Sequence, residues 1–226
     1  MKIEEGFDIV LVGVGGQGVV LASDILAEVA MKNGYDVKKT DTLGMAQRGG
    51  SVVSNVRIST HVDSPVIDRG DANFLVGFEK METARYASML RMDGLTIMND
   101  AKQEPASVTS GGEEYPSDEA IETEITKYAD NLIKIPATDA AVNLGNPKVL
   151  NTVLLGALSF FLPFTKSSWT TILREKLPEK IAEINVDAFN AGRRDMLDII
   201  SRAEPADLSG EEEEEDEHGH GHDHCC

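Results

Sequence analysis

The stretch that decides the fold is "VGVGGQGVVLASDIL", residues 12–26. An almost unbroken apolar run, residues 7–12, leads into it and is typical of a strand covered on both faces. After Gly18, apolar pairs recur every four residues as far as Asn33-Gly34, which predicts a helix with a broad apolar face and a glycine at its end. A second strand is predicted over residues 35–42. The order strand, glycine loop, helix, strand predicts the opening of an α/β fold.

The rest of the chain continues this alternation and then becomes helical. Further strands are predicted at residues 51–59, 72–79, 95–99 and 131–137, and helices at residues 80–91, 117–129, 148–162, 167–177 and 178–203. This pattern predicts one α/β domain over residues 1–203, with an open, mostly parallel sheet and a helical C-terminal appendage.

Residues 204–226 differ in composition from the rest of the chain. The net charge is −18, yet ten of the acidic residues lie beyond residue 203, where Lys and Arg are absent, so residues 1–203 carry only about −8. Such a polar, acidic segment cannot bury enough surface to offset its ordering entropy, and we expect a disordered tail. The mildly acidic body is unlike a surface that binds duplex nucleic acid.

Cysteine usage and the N-terminus limit the functional classes. The only cysteines are Cys225 and Cys226, so the body can hold neither an internal disulfide nor a cysteine-ligated iron–sulfur cluster. No run of 18 apolar residues is present, and acidic residues precede the first strand, which indicates neither a signal peptide nor a membrane span. We expect a cytoplasmic protein without a membrane partner.

The first glycine loop has three interpretations. Backbone N–H groups and a helix N-terminus in such a turn can approach an anion closely, which favours phosphate binding. The spacing also matches a dinucleotide fingerprint, and Asp41 lies where an acid would bind the ribose hydroxyls of NAD. Alternatively, the glycines only permit a tight turn and close packing. Gln17 is unusual for a plain packing turn, because its amide can donate to and accept from a ligand or a neighbouring chain.

A second glycine loop, "TLGMAQRGGSVV", follows the second predicted strand. It is expected at the carboxyl edge of the sheet beside the first loop, where open α/β folds bind ligands. Arg48 offers a planar cation suited to phosphate or carboxylate, although an exposed arginine on a turn is the plainer reading. No catalytic residue is predicted. The candidate binding residues are Gly13, Gly15, Gly16, Gln17 and Gly18 in the first loop and Gly44, Met45, Gln47, Arg48, Gly49 and Gly50 in the second.

The paired loops carry a specific resemblance. Together with "SPVIDRGDANFLVGFEKMETARYASMLRMDG" and "IPATDAAVNLGNPKVLNTVLLGALSFFLP", they resemble the gamma-type subunits of 2-oxoacid:ferredoxin oxidoreductases, and above all the small subunit of the indolepyruvate-oxidising enzymes. The similarity extends over residues 7–192. One position departs from the family: Leu43 stands where histidine is common before the second loop.

The resemblance implies an enzyme that works as a complex. Such complexes decarboxylate a 2-oxoacid on thiamine diphosphate with magnesium, pass electrons through iron–sulfur clusters to ferredoxin, and form an acyl-CoA. This chain lacks the "GDG…NN" segment that would hold thiamine diphosphate, so those cofactors are expected in a larger partner subunit. This subunit would complete the active site or the CoA site. Alternatives that stay open are a free-standing NAD- or FAD-dependent oxidoreductase and a nucleotide-sensing or metal-handling protein without catalysis. A homodimer is a further expectation for the isolated chain.

The C-terminal tail carries a separate metal hypothesis. Alternating histidines with adjacent thiols are suited to zinc or nickel. The candidate ligands are His218, His220, His222, His224, Cys225 and Cys226. An incidental low-complexity end is the plainer alternative.

Overall fold

A computed structural model describes residues 6–43 and 49–203. It has a six-stranded sheet with helices on both faces. The strands are β1 Phe7–Val14, β2 Asp36–Leu43, β3 Ser51–Ser59, β4 Ala72–Gly77, β5 Leu90–Asn99 and β6 Asn131–Ile135. The helices are α1 Val19–Lys32, α2 Lys80–Arg85, α3 Ala106–Thr109, α4 Asp118–Thr126, α5 Ala137–Asn143, α6 Leu150–Leu158, α7 Lys166–Lys176 and α8 Glu179–Ala203. Of the helices described, none combines the length and the apolar character needed to cross a bilayer.

The strand order is β2-β3-β1-β4-β5-β6. Strands β1, β4, β5 and β6 pair in parallel, whereas β3 runs antiparallel to both of its neighbours. The α/β class and the mostly parallel sheet are therefore confirmed, but β1 and β2 are not neighbours. Strand β3 separates them because it follows β2 through a short connection, which permits antiparallel pairing without a crossover helix.

Alternate residues of β1 explain the helices on both sheet faces. Ile9 and Leu11 belong to the main core, which α1, α6 and α8 complete. Val10 and Val12 point to the opposite face and pack in a second cluster. A strand buried on both faces produces the continuous apolar run that the sequence shows.

One local prediction was wrong, and one short helix was missed. The helix expected over residues 80–91 ends at Arg85, and β5 begins at Leu90, which is paired with Ala72 of β4. The residues after Arg85 favour a helix locally, but pairing with a buried strand overrides that preference. Helix α5 was missed because it has only seven residues and lies between Pro136 and Gly145.

The helical C-terminal part packs around α6, all nine residues of which are buried. Trp169 of α7 is fully buried and stacks on Phe189 of α8, with ring centroids 5.5 Å apart. Helices α6 and α8 cross closely at two glycines, Gly156 and Gly192. The expectation that residues 148–162 form a buried helix is confirmed for its central part.

Candidate functional site

The two glycine loops meet at the carboxyl edge of the sheet. The N–H of Gly15 donates to the carbonyl of Gly50 over 2.8 Å, and the N–H of Gly49 donates to the carbonyl of Gly15 over 3.3 Å. Because β3 is antiparallel, its first residue, Ser51, lies beside the last residue of β1, Val14. The expected contact between the loops is therefore present for these residues. Gly44, Met45, Gln47 and Arg48 lie outside the described residues.

The glycines of the first loop serve different purposes. Gly18 caps α1 in the left-handed conformation (φ 82°), and a side chain there would also meet Asn151 of α6. Gly16 has φ 110° and is exposed, so its backbone is accessible at the carboxyl edge of the sheet, on the rim formed by residues 13–18 and 49–50. Gly13 lies within β1, where a Cβ would come 2.7 Å from both Gln17 Oε1 and Phe78 Cβ. Close packing thus explains why glycine is needed at position 13, and backbone conformation together with packing explains it at position 18. The backbone of Gly16, in contrast, is exposed.

Gln17 is turned into the protein, and only 5% of it is exposed. Its Oε1 accepts from the N–H of Val14 over 2.7 Å, and its Nε2 donates to the carbonyl of Phe78 (3.1 Å) and to Oε1 of Gln103 (3.0 Å). Both amide hydrogens are therefore used within the chain. The side chain fastens the end of β1 to the segments that follow β4 and β5, and in this conformation it has no free donor for a ligand.

A third segment, residues 100–116, packs against Gly49 and Gly50, the residues of the second loop that the structure describes. The N–H of Ala106 donates to the carbonyl of Gly49 over 2.8 Å. The fully buried Glu79 anchors this segment, since its carboxylate accepts from the Tyr115 hydroxyl and, over 3.4 Å, from the N–H of Gln103. Sequence reasoning missed Glu79. The available signal was an acidic residue at the end of the buried strand predicted over residues 72–79, at the edge where ligands bind.

Burial raises the pKa of the Glu79 carboxyl above its ordinary value, although hydrogen bonds from Tyr115 and from backbone N–H groups oppose that shift. The same desolvation, together with the adjacent carboxylate, raises the pKa of the Tyr115 hydroxyl far above its usual range. Tyr115 therefore stays protonated at neutral pH and can keep donating to Glu79.

A cavity of about 360 Å³ lies between the second loop and α2. Its lining includes Gly49, Gly50, Arg85 and Glu113. The Arg85 guanidinium forms ion pairs with Glu113 (3.0 Å) and with the buried Glu82 (3.3 Å). Two carboxylates already neutralise this cation, so the described wall of the cavity does not offer a free positive charge to an anion.

Asn151 joins the first loop to the helical part. Its Nδ2 donates to the carbonyl of Gly18 over 3.4 Å, while its Oδ1 accepts from the N–H of Thr152. The Thr152 hydroxyl in turn contacts Oδ1 of Asn185 on α8 at 2.6 Å. These buried polar groups hold the N-terminus of α6 against the N-terminus of α1, so both helix starts lie at the rim that carries the loop.

The NAD interpretation of Asp41 is not supported by this geometry. Strand β2 lies two positions from β1, because β3 intervenes. The Asp41 carboxylate accepts from the Ser54 hydroxyl (2.6 Å) and forms an ion pair with Lys39 (2.9 Å). In a dinucleotide fold the acid ends a strand adjacent to the first one. Asp41 instead stabilises the β2–β3 pair.

Within residues 6–43 and 49–203, no group of three His, Cys, Asp or Glu side chains is arranged to hold a metal ion. The candidate ligands from His218 to Cys226 lie outside these residues.

The fold and this rim define an α/β protein that presents two joined glycine loops at the carboxyl edge of its sheet. Residues 8–194 match the family model described as pyruvate ferredoxin/flavodoxin oxidoreductase. The chain belongs to this family.

Named relatives agree with this membership. The chain is 38% identical over 187 residues to indolepyruvate oxidoreductase subunit IorB of Archaeoglobus fulgidus, covering 82% of this chain and 92% of the relative. It is 33% identical over 189 residues to the IorB subunit of Pyrococcus horikoshii, covering 82% of this chain and 94% of the relative.

A solved structure shows the same fold. The gamma subunit of a keto/oxoacid ferredoxin oxidoreductase from Geobacter sulfurreducens superposes with a TM-score of 0.63 at 23% identity, covering 85% of this chain and 99% of that chain.

Proposed function

We propose that this chain is the small subunit of a 2-oxoacid:ferredoxin oxidoreductase that oxidises indolepyruvate or a related aryl pyruvate. The observation that carries the proposal is the similarity to IorB subunits over more than nine-tenths of their length. Less similar relatives are named as 2-oxoglutarate synthase and pyruvate synthase subunits, so the family includes several 2-oxoacid substrates. The enzyme acts as a complex, in the cytoplasm, and this chain alone is inactive.

The cofactors belong to a larger partner subunit. Residues 1–224 contain no cysteine, so the body has no thiolate with which to bind an iron–sulfur cluster. The chain also lacks the "GDG…NN" segment that would hold thiamine diphosphate with magnesium, so this cofactor, the clusters and the ferredoxin contact are assigned to the partner.

This chain contributes the rim of the CoA site. The exposed backbone at Gly16 and the N-terminus of α1 suit an anionic group, because partial positive charge collects at a helix N-terminus. The Gly15–Gly50 and Gly49–Gly15 hydrogen bonds join the first loop to the described residues of the second loop, Gly49 and Gly50. Gln17 contributes by fastening the rim. Arg48, with Gly44, Met45 and Gln47, completes the proposed binding residues.

Reconstitution tests the subunit assignment. The purified partner subunit is assayed for indolepyruvate-dependent, CoA-dependent ferredoxin reduction with and without the full-length chain. We expect activity only when both are present, and co-elution of the two at a fixed ratio. Activity of the partner alone at the same rate, or full 2-oxoacid oxidation by this chain alone, would contradict the assignment.

Titration of the isolated chain with NADH tests the alternative function. Micromolar binding of NADH would favour a free-standing dehydrogenase.

Two predictions stay separate from this function. Metal binding by the tail concerns residues outside the described part of the chain. Self-association of the isolated chain rests on exposed apolar side chains, among them Met92, which is 91% exposed, and Val66, which is 56% exposed.

A further inference from the structure

A second pocket lies away from the glycine loops, between the α6–α7 connection and α8. Its volume is about 360 Å³, and it is lined by Phe160, Lys166, Asn190, Arg193, Arg194 and Leu197. Helix α6 begins beside Gly18 and runs away from the carboxyl edge. The residue after Phe160, Phe161, packs on Phe74 near the start of β4, with ring centroids 6.0 Å apart. The pocket is therefore at the opposite end of the sheet from the proposed CoA rim.

Three cations in this pocket have no carboxylate partner among the described residues. Most of the other lysines and arginines in the described part of the chain, such as Arg57 and Arg174, have a side-chain nitrogen within 4.0 Å of a carboxylate oxygen. Lys166, Arg193 and Arg194 form no such ion pair within residues 6–43 and 49–203. Asp195 lies beside Arg194 on α8, but no described carboxylate is within 4.0 Å of these three cations, so the pocket they line attracts an anion.

The central cation is held in place. Arg193 Nη1 donates to the Ser159 hydroxyl over 2.8 Å, and its guanidinium lies 5.9 Å from the centroid of the Phe160 ring. Lys166 is the first residue of the eleven-residue helix α7, whose N-terminus adds partial positive charge beside the ammonium group. A guanidinium that is already fixed loses little entropy when it binds a phosphoryl group.

The remaining lining residues favour more than an inorganic anion. Phe160 is 38% exposed and Leu197 is 54% exposed, which leaves apolar surface for a planar ring. The Oδ1 atom of Asn190 is buried without a hydrogen-bond partner among the described residues.

We propose that this pocket binds a nucleoside phosphate. Arg193, Arg194 and Lys166 hold the phosphoryl group, and the base packs against Phe160 and Leu197. The volume is within the range of small-molecule sites. This site is independent of the proposed CoA rim, because the two lie at opposite ends of α6.

Titration of the full-length chain with AMP, ribose 5-phosphate and inorganic phosphate tests the site, with binding followed by the amide NMR signals of residues 190–197. We expect AMP to bind at least about ten times more tightly than inorganic phosphate, with ribose 5-phosphate between them. Arg194→Gln changes an exposed side chain and leaves the Arg193–Ser159 bond intact, so the variant should fold. We expect it, and Arg193→Gln, to weaken AMP binding at least about tenfold.

Lys180→Gln is the matched control, since Lys180 is an exposed cation of α8 that does not line the pocket. It should leave the AMP affinity unchanged. Equal affinities for AMP and inorganic phosphate would show an adventitious anion site and overturn the proposal. So would an Arg194→Gln variant that binds AMP like the parent, or a Lys180→Gln variant weakened to the same extent.

Discussion

Three hydrogen bonds converge on the buried amide of Gln17 and stabilise the carboxyl edge. We expect Gln17→Ala to lower the free energy of unfolding by roughly 2–3 kcal/mol, since the N–H of Val14 would be left buried without a partner. Urea unfolding followed by circular dichroism measures the change.

Gln103→Ala is the matched control for that variant. Gln103 is exposed and takes part in only one of the three bonds, so its loss should cost about 1 kcal/mol or less. If both variants lost the same free energy of unfolding, the contact with the 100–116 segment would account for the destabilisation, and the Gln17 hydrogen bonds to Val14 and Phe78 would not.

Glu79 makes stability depend on pH in an unusual direction. Its pKa in the folded chain is raised by burial, so the folded state binds more protons than the unfolded state above the ordinary glutamate pKa. The contribution of this group to stability is therefore present at low pH and is lost as the pH rises through the folded pKa. The unfolding free energy of Glu79→Gln, relative to the parent, should rise between acidic and neutral pH.

Tyr115→Phe provides the second arm of the Glu79 test. The Tyr115 hydroxyl bond lowers the pKa of Glu79, so its removal should raise that pKa further and move the pH-dependent loss to higher pH. Parallel stability profiles for the parent, Glu79→Gln and Tyr115→Phe would contradict the assignment of this titration to Glu79.

The proposed CoA rim makes a kinetic prediction for the assembled enzyme. Arg48→Ala and Gly15→Ala should both raise the KM for CoA. For Arg48→Ala we expect an increase of about 10-fold to 100-fold, because a charged hydrogen bond is worth roughly 1.5–3 kcal/mol. Arg69→Ala is the control, because Arg69 lies in the connection between β3 and β4 at the other edge of the sheet. An unchanged KM for CoA in both rim variants would contradict the proposal that this chain contacts CoA.

Some of these residue roles could be read from the sequence, and others could not. The spacing of Gly13, Gly15 and Gly18 predicts a glycine turn, because glycine tolerates the backbone that such a turn needs. The unusual Gln17 was noticed, but its direction depends on Phe78 and Gln103, which are remote in the chain. Glu79 was missed because its main partner, Tyr115, lies 36 residues away.

At the scale of elements, hydrophobic patterns predicted most strands and long helices, and the predicted bounds of β3 agree with the structure. The neighbours of each strand were not predictable in the same way. A strand buried on both faces has the same apolar pattern in several positions of a sheet, so the insertion of β3 between β1 and β2 leaves no local signal. The early end of α2 likewise follows from pairing between β4 and β5.

The α6–α8 crossing depends on two helical glycines. A Cβ on Gly192 would lie only 1.8 Å from the carbonyl oxygen of Val153, so the helices would have to separate. We expect Gly192→Ala to destabilise the protein by at least about 2 kcal/mol, as overpacking a core does. Alanine normally stabilises a helix relative to glycine by roughly 0.5–1 kcal/mol, so the sign of the change distinguishes contact from propensity.

Asp187→Ala in the same helix is a suitable control, since Asp187 is exposed. It should change stability little, whereas Gly156→Ala, with a Cβ 2.2 Å from the carbonyl oxygen of Phe189, should resemble Gly192→Ala. Thermal and urea unfolding of the three variants compare them directly.

At the scale of the whole molecule, charge is distributed unevenly in a way that composition alone conceals. The tail supplies more than half of the net charge of −18, while Lys166, Arg193 and Arg194 form a cationic pocket on the body. The sequence revealed the first feature, because the acids are consecutive. The second was hidden, since its residues come from two helices that only the fold brings together.

The tail makes the last prediction, because metal binding there can be separated from the body. Neutral imidazoles and thiolates bind zinc, so the full-length chain should take up zinc at pH 7.5 and lose it below about pH 6 as the histidines become protonated. A chain ending at Ala203 should bind none, since residues 6–43 and 49–203 contain no candidate metal group. Replacing His218, His220, His222 and His224 by serine keeps the acidic run intact. Undiminished zinc uptake by that variant would assign the metal to carboxylates or to the terminal cysteines, and not to the histidines.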